Sequence, residues 1–417
     1  MATAPPEAVG PAHVGVVSFL AARAAPTGGF WIALAGGVAL ARVAERRGAR
    51  LGFGASAAAM LETVAIIGPA RFGVPLTQAL SAPMLGRLHA RGAGLWPRIL
   101  ACALVRLLHN AATTAFFIWV IAGGLDAYAG TYDALGRRVG LEVGTADALV
   151  LTLAGLLAWA AFASTVQVLV YRHGLRMWAD AAEGPSGRAG LGSEGGTVLD
   201  RSVDPDRRFD PRAVAVTALV AFVLLLASTD WELLAAVAVW LVFASLVSRA
   251  ERAPLRAGLA FAAILAGGAF VFALGGGLGL DTALRRASRA GLLVLVATWL
   301  RAAAGAAGLR EVSRRALGRL HRVPSATEAA AILDAIASEG RLATAGRSLA
   351  GRLSASAKRP RALVEAVLTW VIREAETVGA AGPPPAAGTV IRRPLRLRVA
   401  DWALMGSALL PAAALPA

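Results

Sequence analysis

GLDTALRRASRAGLLVLVATWLRAAAGAAGLREVSRRALGRLHRVP, residues Gly279 to Pro324, holds an apolar run between arginines and then turns into a basic amphipathic segment. The run from Arg289 to Arg301, extended over Ala302 to Leu309, reaches the roughly 20 residues that cross a hydrocarbon layer of about 30 Å. It predicts a membrane helix. Beyond it Leu309, Val312, Ala316, Leu317 and Leu320 recur at helical spacing, with Arg310, Arg314, Arg315, Arg319 and Arg322 between them. Such a helix cannot span; it lies beside the membrane or grips another protein.

Composition sets the class around this stretch. Hydrophobic residues make up 57% of 417 positions and mean hydropathy is +0.62, which requires lipid as solvent for much of the surface. The apolar runs are rich in Ala, Leu and Val and lack the ten-residue alternation of a lipid-facing barrel strand. The expected fold is all-α: a polytopic integral membrane helical bundle with cytoplasmic amphipathic coupling-type helices, multi-pass in the cell (inner) membrane. Net charge is +16, carried by arginine except for Lys358. Because the arginines flank apolar runs, they point to cytoplasmic loops and anionic lipid headgroups. Nucleic acid is not an expected partner, since no aromatic-interleaved basic stretch occurs. Cys102 is the single cysteine and the five histidines are scattered without ligand spacing, so neither a metal site nor a cofactor is predicted.

Along the chain, residues 1 to 12 read as loose. Apolar segments near Gly28 to Val43 and Leu51 to Ala70 flank the basic run Arg42, Arg46, Arg47, Arg50. Glu62 stands in the second; a carboxylate in lipid costs about 2.5 to 3.5 kcal/mol, so it faces the bundle interior, finds a partner or is protonated, with function and structural pairing to an arginine such as Arg71 or Arg106 as alternatives. Ala70 to Gly94, with Pro69, Pro75 and Pro83, reads as a re-entrant or interfacial element. Arg98 to Ala122 is a long apolar helix carrying Arg106, His109 and Asn110; Arg106 and Asn110 share a face, which suits interhelical hydrogen bonds or a polar lining. Gly123 to Gly144 reads as a mixed-charge loop, and Ala146 to Tyr171 as a span.

A Gly/Ser-rich, charged linker at 183–209 divides a membrane domain (1–182) from a second one (210–417) whose basic helices occupy about 309–378. In the second, Asp210 and Pro211 cap a hairpin that turns at Thr229 to Glu232, Leu255 to Leu274 forms a third span, and the opening stretch supplies the fourth. A linker at 379–389 and a short final span, Asp401 to Leu415, follow.

The motifs FDPRAVAV from Phe209, the entry Gly279, Leu280, Ala283, Leu284, Arg289, and L..VSRRALGRLHRVP from Leu309 resemble the transmembrane T component of energy-coupling factor importers over roughly Arg207 to Trp402. That resemblance implies cytoplasmic coupling helices seated on separate P-loop ATPase subunits, with a substrate-binding membrane component as a further partner and a small molecule such as a vitamin or metal ion as cargo. The family's contact motif is Ala-Arg-Gly-like; here the region has GRL at Gly318, EGRL at Glu339, AGR at Ala345 and GRL at Gly351. The implied coupling residues are Arg310, Arg314, Arg315, Arg319, Arg341, Arg347 and Arg352. Between Arg301 and Arg361 twelve basic residues face four acids, which suits either a dock or a solvated, lipid-facing surface.

No GxxxxGK[ST] loop, G-x-S-x-G or HExxH occurs, so the chain is not expected to be an ATPase itself. The alternative to a transport subunit is an integral-membrane enzyme, or a membrane scaffold, with a polar centre of Glu62, Arg106, His109 and Asn110. The enzyme reading predicts that these four converge.

Overall fold

The computed structural model describes residues 4–25, 28–71, 75–183, 208–320, 322–336, 339–356, 359–380 and 397–414. Most of the linker expected at 183–209, and all but the start of that at 379–389, lie outside them. Among the described residues there are helices and no strand: α1 Pro6–Ala24, α2 Gly29–Arg47, α3 Ala49–Ile67, α4 Pro75–Ala90, α5 Leu95–Phe116 continued by a π-helical turn Phe117–Ala122, α6 Leu125–Arg137, α7 Thr145–Glu183, α8 Pro211–Ala227, α9 Trp231–Val247, α10 Arg252–Gly275, α11 Leu280–Arg319, α12 Pro324–Ile336, α13 Glu339–Ser356, α14 Pro360–Ala380 and α15 Val399–Ser407. Five are long and apolar enough to cross a membrane: α3, α5 with its π turn, α7, α10 and α11. The chain is an all-α helical membrane bundle.

Local chemistry explains several boundaries. Pro211 opens α8 behind Asp210, whose carboxylate accepts the Arg212 backbone N–H at 2.8 Å. α8 and α9 have 17 residues each, about 25 Å, the low end of a spanning length. Pro83 sits inside α4 and cannot donate to the carbonyl of Ala79 one turn earlier. The Ser56 hydroxyl of α3 donates to that carbonyl instead. This is why Ala70 to Gly94, expected as a re-entrant or interfacial element, contains a regular helix packed on α2, α3 and α5.

Other expectations are also corrected. The N-terminus is helical from Pro6, with Ala8 to Phe19 buried, because its small apolar residues are covered by α2, α3 and α14. Gly123 to Gly144 contains α6: Tyr128 and Tyr132, one turn apart, bring an aromatic face onto Phe117 and Phe272, which the mixed charge of the segment obscured. The final segment is α15 followed by a 3-10 stretch, Leu410–Ala414; together they form a shorter apolar helix in the same class as α8 and α9, packed on those two helices.

Two apolar cores organise the bundle. In the first, α2 is central and Ile32 to Ala44 are buried without a break; its small residues let neighbouring backbones approach closely. Around it lie α1, α3, α4, the end of α7, and α12 to α14, whose Ile332, Leu333, Leu349, Val367, Leu368 and Val371 belong to the same core. The helices read from the sequence as either a dock or a solvated, lipid-facing basic surface therefore spend their apolar faces on α1 to α3. The second core joins α8, α9, α11 and α15, and α3 adds Ala65 to it. Lipid-facing surface is concentrated elsewhere: 11%, 17% and 22% of the apolar windows of α5, α7 and α10 are buried, against 50% and 67% for α3 and α11.

His13 lies inside the first core at 2% exposure. Burial, then the nearby charge of Arg341 on α13, lowers its pKa from 6.5 to about 4. The unfolded chain then takes up a proton near pH 6.5 that the folded chain refuses until about pH 4, so stability falls as pH drops through that window, by on the order of 3 kcal/mol at most. Glu374 of α14, pushed up by burial against Arg341 and Arg352, works in the opposite sense near its own range. Melting of the detergent-solubilised protein from pH 7 to pH 4 will fall more steeply than that of His13→Leu, and parallel curves would refute the assignment.

Candidate functional site

The break in α11 builds the junction on which the site rests. Gly305 has φ 64° and ψ 170°, a conformation essentially confined to glycine, and it divides α11 into an apolar arm and a basic arm. The Ala302 carbonyl accepts the Glu251 N–H at 3.0 Å, which ties the start of α10 to the break. Arg301 reaches both neighbours: its Nε donates to the Ile66 carbonyl at 2.9 Å, at the end of α3, and its Nη1 to Glu251 at 3.2 Å.

Just beyond the break Arg310 meets Glu62. Nε donates to Oε2 and Nη2 to Oε1, both at 2.6 Å, in the planar two-bond geometry that a guanidinium and a carboxylate favour. The Glu62 side chain is 0% exposed and that of Arg310 13%. Glu62 thus pairs with Arg310 and not with Arg106, and the side chain of Arg71, the other arginine considered, lies outside what the structure describes. Two residues assigned from sequence to different sites, one intramembrane and one coupling, are partners across α3 and α11.

Arg106 belongs to another network. Its Nη2 donates to Gln167 Oε1 of α7 at 2.6 Å, and Gln167 Nε2 donates to Ser81 Oγ of α4 at 2.7 Å. His109 and Asn110 lie a turn away on α5, half-buried, and the His109 carbonyl accepts the Thr113 hydroxyl at 2.9 Å. Glu62, Arg106, His109 and Asn110 therefore do not form one hydrogen-bonded centre, and interhelical bonding is what Arg106 does.

The other coupling candidates divide by surroundings. Arg314 and Arg315 are held by Glu311 at 2.7 and 2.6 Å, and Arg314 lies 3.9 Å from Asp334 of α12. Arg352 is half-buried near Glu374. Arg319, Arg341 and Arg347 are exposed, and Arg347 donates to the Thr344 hydroxyl at 3.3 Å. Beside Arg319 the apolar Leu320 and Val323 are exposed as well, so this end of α11 offers solvent both charge and apolar surface.

Sequence reasoning missed three contributors. Arg289 was read as the edge of an apolar run and as part of an entry motif, yet its guanidinium donates to the carbonyls of Leu225, Leu226 and Val120 at 2.6, 2.7 and 2.9 Å, taking acceptors at the end of α8 and in the π turn. Arg301 was a boundary marker in the same way. Gln167 was passed over inside a span, although an amide in an apolar run is itself a signal of interhelical bonding. A cavity of about 510 Å³ lies elsewhere, lined by Glu7, Arg42, Arg46, Arg47, Trp178 and Glu376 among others; Arg47 is bonded to Glu7 and Arg42 to Glu45, and none of the expected site residues reaches it. Among the described residues no group of His, Cys, Asp or Glu is placed to hold a metal ion.

Removing one member of a buried pair leaves the other charge uncompensated, at a cost of about 3 to 5 kcal/mol. Glu62→Gln and Arg310→Gln will each lower the melting temperature in detergent, while the double variant Glu62→Leu with Arg310→Met recovers much of the loss; additive losses would rule out direct pairing. Gly305→Ala will destabilise by about 1 to 3 kcal/mol, measured in the same assay, and an unchanged melting temperature would mean that the break is not obligatory.

No protein family, curated protein or solved structure matches this chain, so its role is argued from this geometry and from the sequence.

Proposed function

We propose that this chain is a transmembrane subunit of an ATP-driven importer of the energy-coupling factor type, in the cell (inner) membrane, taking up a small molecule such as a vitamin or metal ion. A separate P-loop ATPase docks on its basic aqueous face, and a substrate-binding membrane component completes the assembly. In this reading the chain hydrolyses nothing; it passes movement from the dock to the bundle, and anionic lipid headgroups neutralise the basic residues at the membrane edge.

The observation that carries the reading is the junction at Gly305. A displacement of the basic arm of α11 acts on Arg310, and through two short hydrogen bonds on Glu62 of α3. Arg301 couples the same movement to the end of α3 and the start of α10. Burial of the pair makes the linkage stiff, because separating it exposes a charge to an apolar interior. Arg319, Arg341 and Arg347 supply exposed positive charge for an acidic partner surface.

The test is affinity purification of the detergent-solubilised protein from its own cells, followed by mass spectrometry, beside a variant with Arg319, Arg341 and Arg347 changed to Glu. Because all three are exposed, the variant will fold. Recovery of a P-loop ATPase with the native chain, and at least a tenfold loss with the variant, is expected. Copurification unaffected by the three changes would move the dock elsewhere, and no ATPase with either protein would refute the coupling role.

A further inference from the structure

Among the described residues Arg42, Arg106 and Arg289 are buried and Arg310 is nearly so; Arg42 pairs with Glu45, and the other charges are met in different ways. Arg310 has a carboxylate and Arg289 has three carbonyls. Arg106 has one neutral amide oxygen, Gln167 Oε1, which also accepts from the Cys102 thiol at 3.1 Å. Among the described residues no carboxylate lies within ion-pair distance of it.

The surroundings of Arg106 are rich in donors. Ser81, Cys102, Ser164, Gln167 and Tyr171 are at most 2% exposed and Arg106 is 4% exposed. Ser164 and Arg106 lie beside the Cys102 thiol, and Gln167 and Arg106 within electrostatic reach of the Tyr171 hydroxyl, so the cluster is continuous across α4, α5 and α7. Three of its buried polar atoms, Arg106 Nε, Ser164 Oγ and Tyr171 Oη, have no hydrogen-bond partner among the described residues. Each carries a hydrogen to donate. An uncompensated guanidinium among unused N–H and O–H groups is complementary to negative charge, whereas a water molecule would satisfy the hydrogen bonds and leave the charge.

We propose that this cluster binds a small monovalent anion of halide size, held by Arg106 with the hydroxyls of Ser164 and Tyr171. Packing sets the size. The Tyr171 hydroxyl lies so close to α2 that a Cβ built on Gly37 would stand 1.8 Å from it, so only glycine admits it there, and the anion proposed among donors packed this closely is the smallest kind, a monatomic one. Such a site binds its anion whether or not an ATPase engages the basic face, so it stands independently of the coupling role.

The full-length protein in detergent is melted in sodium chloride, bromide or gluconate at one ionic strength and pH. A saturable rise in Tm with chloride and bromide and none with gluconate is expected. Ser164→Ala and Tyr171→Phe, each removing one donor to the ion, will raise the half-saturating halide concentration by about tenfold, and Arg106→Gln will abolish the response. Arg46→Gln, at the distant basic cavity, will leave it unchanged. Equal melting in chloride and gluconate overturns the proposal and assigns the cluster to water. A half-saturating halide concentration left unchanged in both Ser164→Ala and Tyr171→Phe overturns it as well, so the decision holds even if Arg106→Gln does not fold.

Discussion

A charge withdrawn from water must be met by another group, and the arrangement of this bundle follows from where its buried charges are met. Glu62 on α3 and Arg310 on α11 are separated by most of the chain and joined by two hydrogen bonds of 2.6 Å. Neither is tolerable alone in an apolar interior. Their pairing fixes how α3 and α11 sit together, and α3 in turn contributes to both apolar cores. The path of α11 is set at the same place, since the conformation of Gly305 turns its basic arm so that Arg310 reaches the carboxylate.

Arginine also acts as a structural cap. Arg289 and Arg301 spend their guanidinium groups on backbone carbonyls at helix ends, where helical geometry leaves acceptors unused. In water such carbonyls are solvated at little cost; inside a membrane bundle they need a protein donor. One arginine can serve several, which is why residues that look like markers of the membrane edge become junctions between helices.

The helices rank by what covers them. α5, α7 and α10 leave most of their apolar surface uncovered by protein, as helices in contact with lipid do. α2 is enclosed along its middle, and part of its cover comes from α14, far along the chain. The basic C-terminal helices thus complete the N-terminal bundle with their apolar faces and present arginine outward. One set of residues supplies both stability and a charged surface, so movement at that surface is felt in the first core.

Helical membrane class, the capped start of α8 and the apolar path of α11 were legible in the sequence, because burial of backbone polar groups in lipid leaves a helix little alternative and its apolar length is written locally. The interior position of Glu62 was legible for the same reason: a lone carboxylate in an apolar run has nowhere else to go. Its partner was not, since Arg310, Arg71 and Arg106 look equivalent in one dimension, and choosing among them depends on a backbone turn at Gly305 and on which helices meet. α6 and α1 were hidden by charge, proline and small residues whose helical state depends on neighbours that cover them. The sequence by itself determined which segments are helical and apolar and which side chains cannot face lipid. Only the tertiary structure decided which charges meet, which carbonyls Arg289 and Arg301 cap, and that the basic helices lie on α1 to α3, because those choices are made between residues distant in the chain.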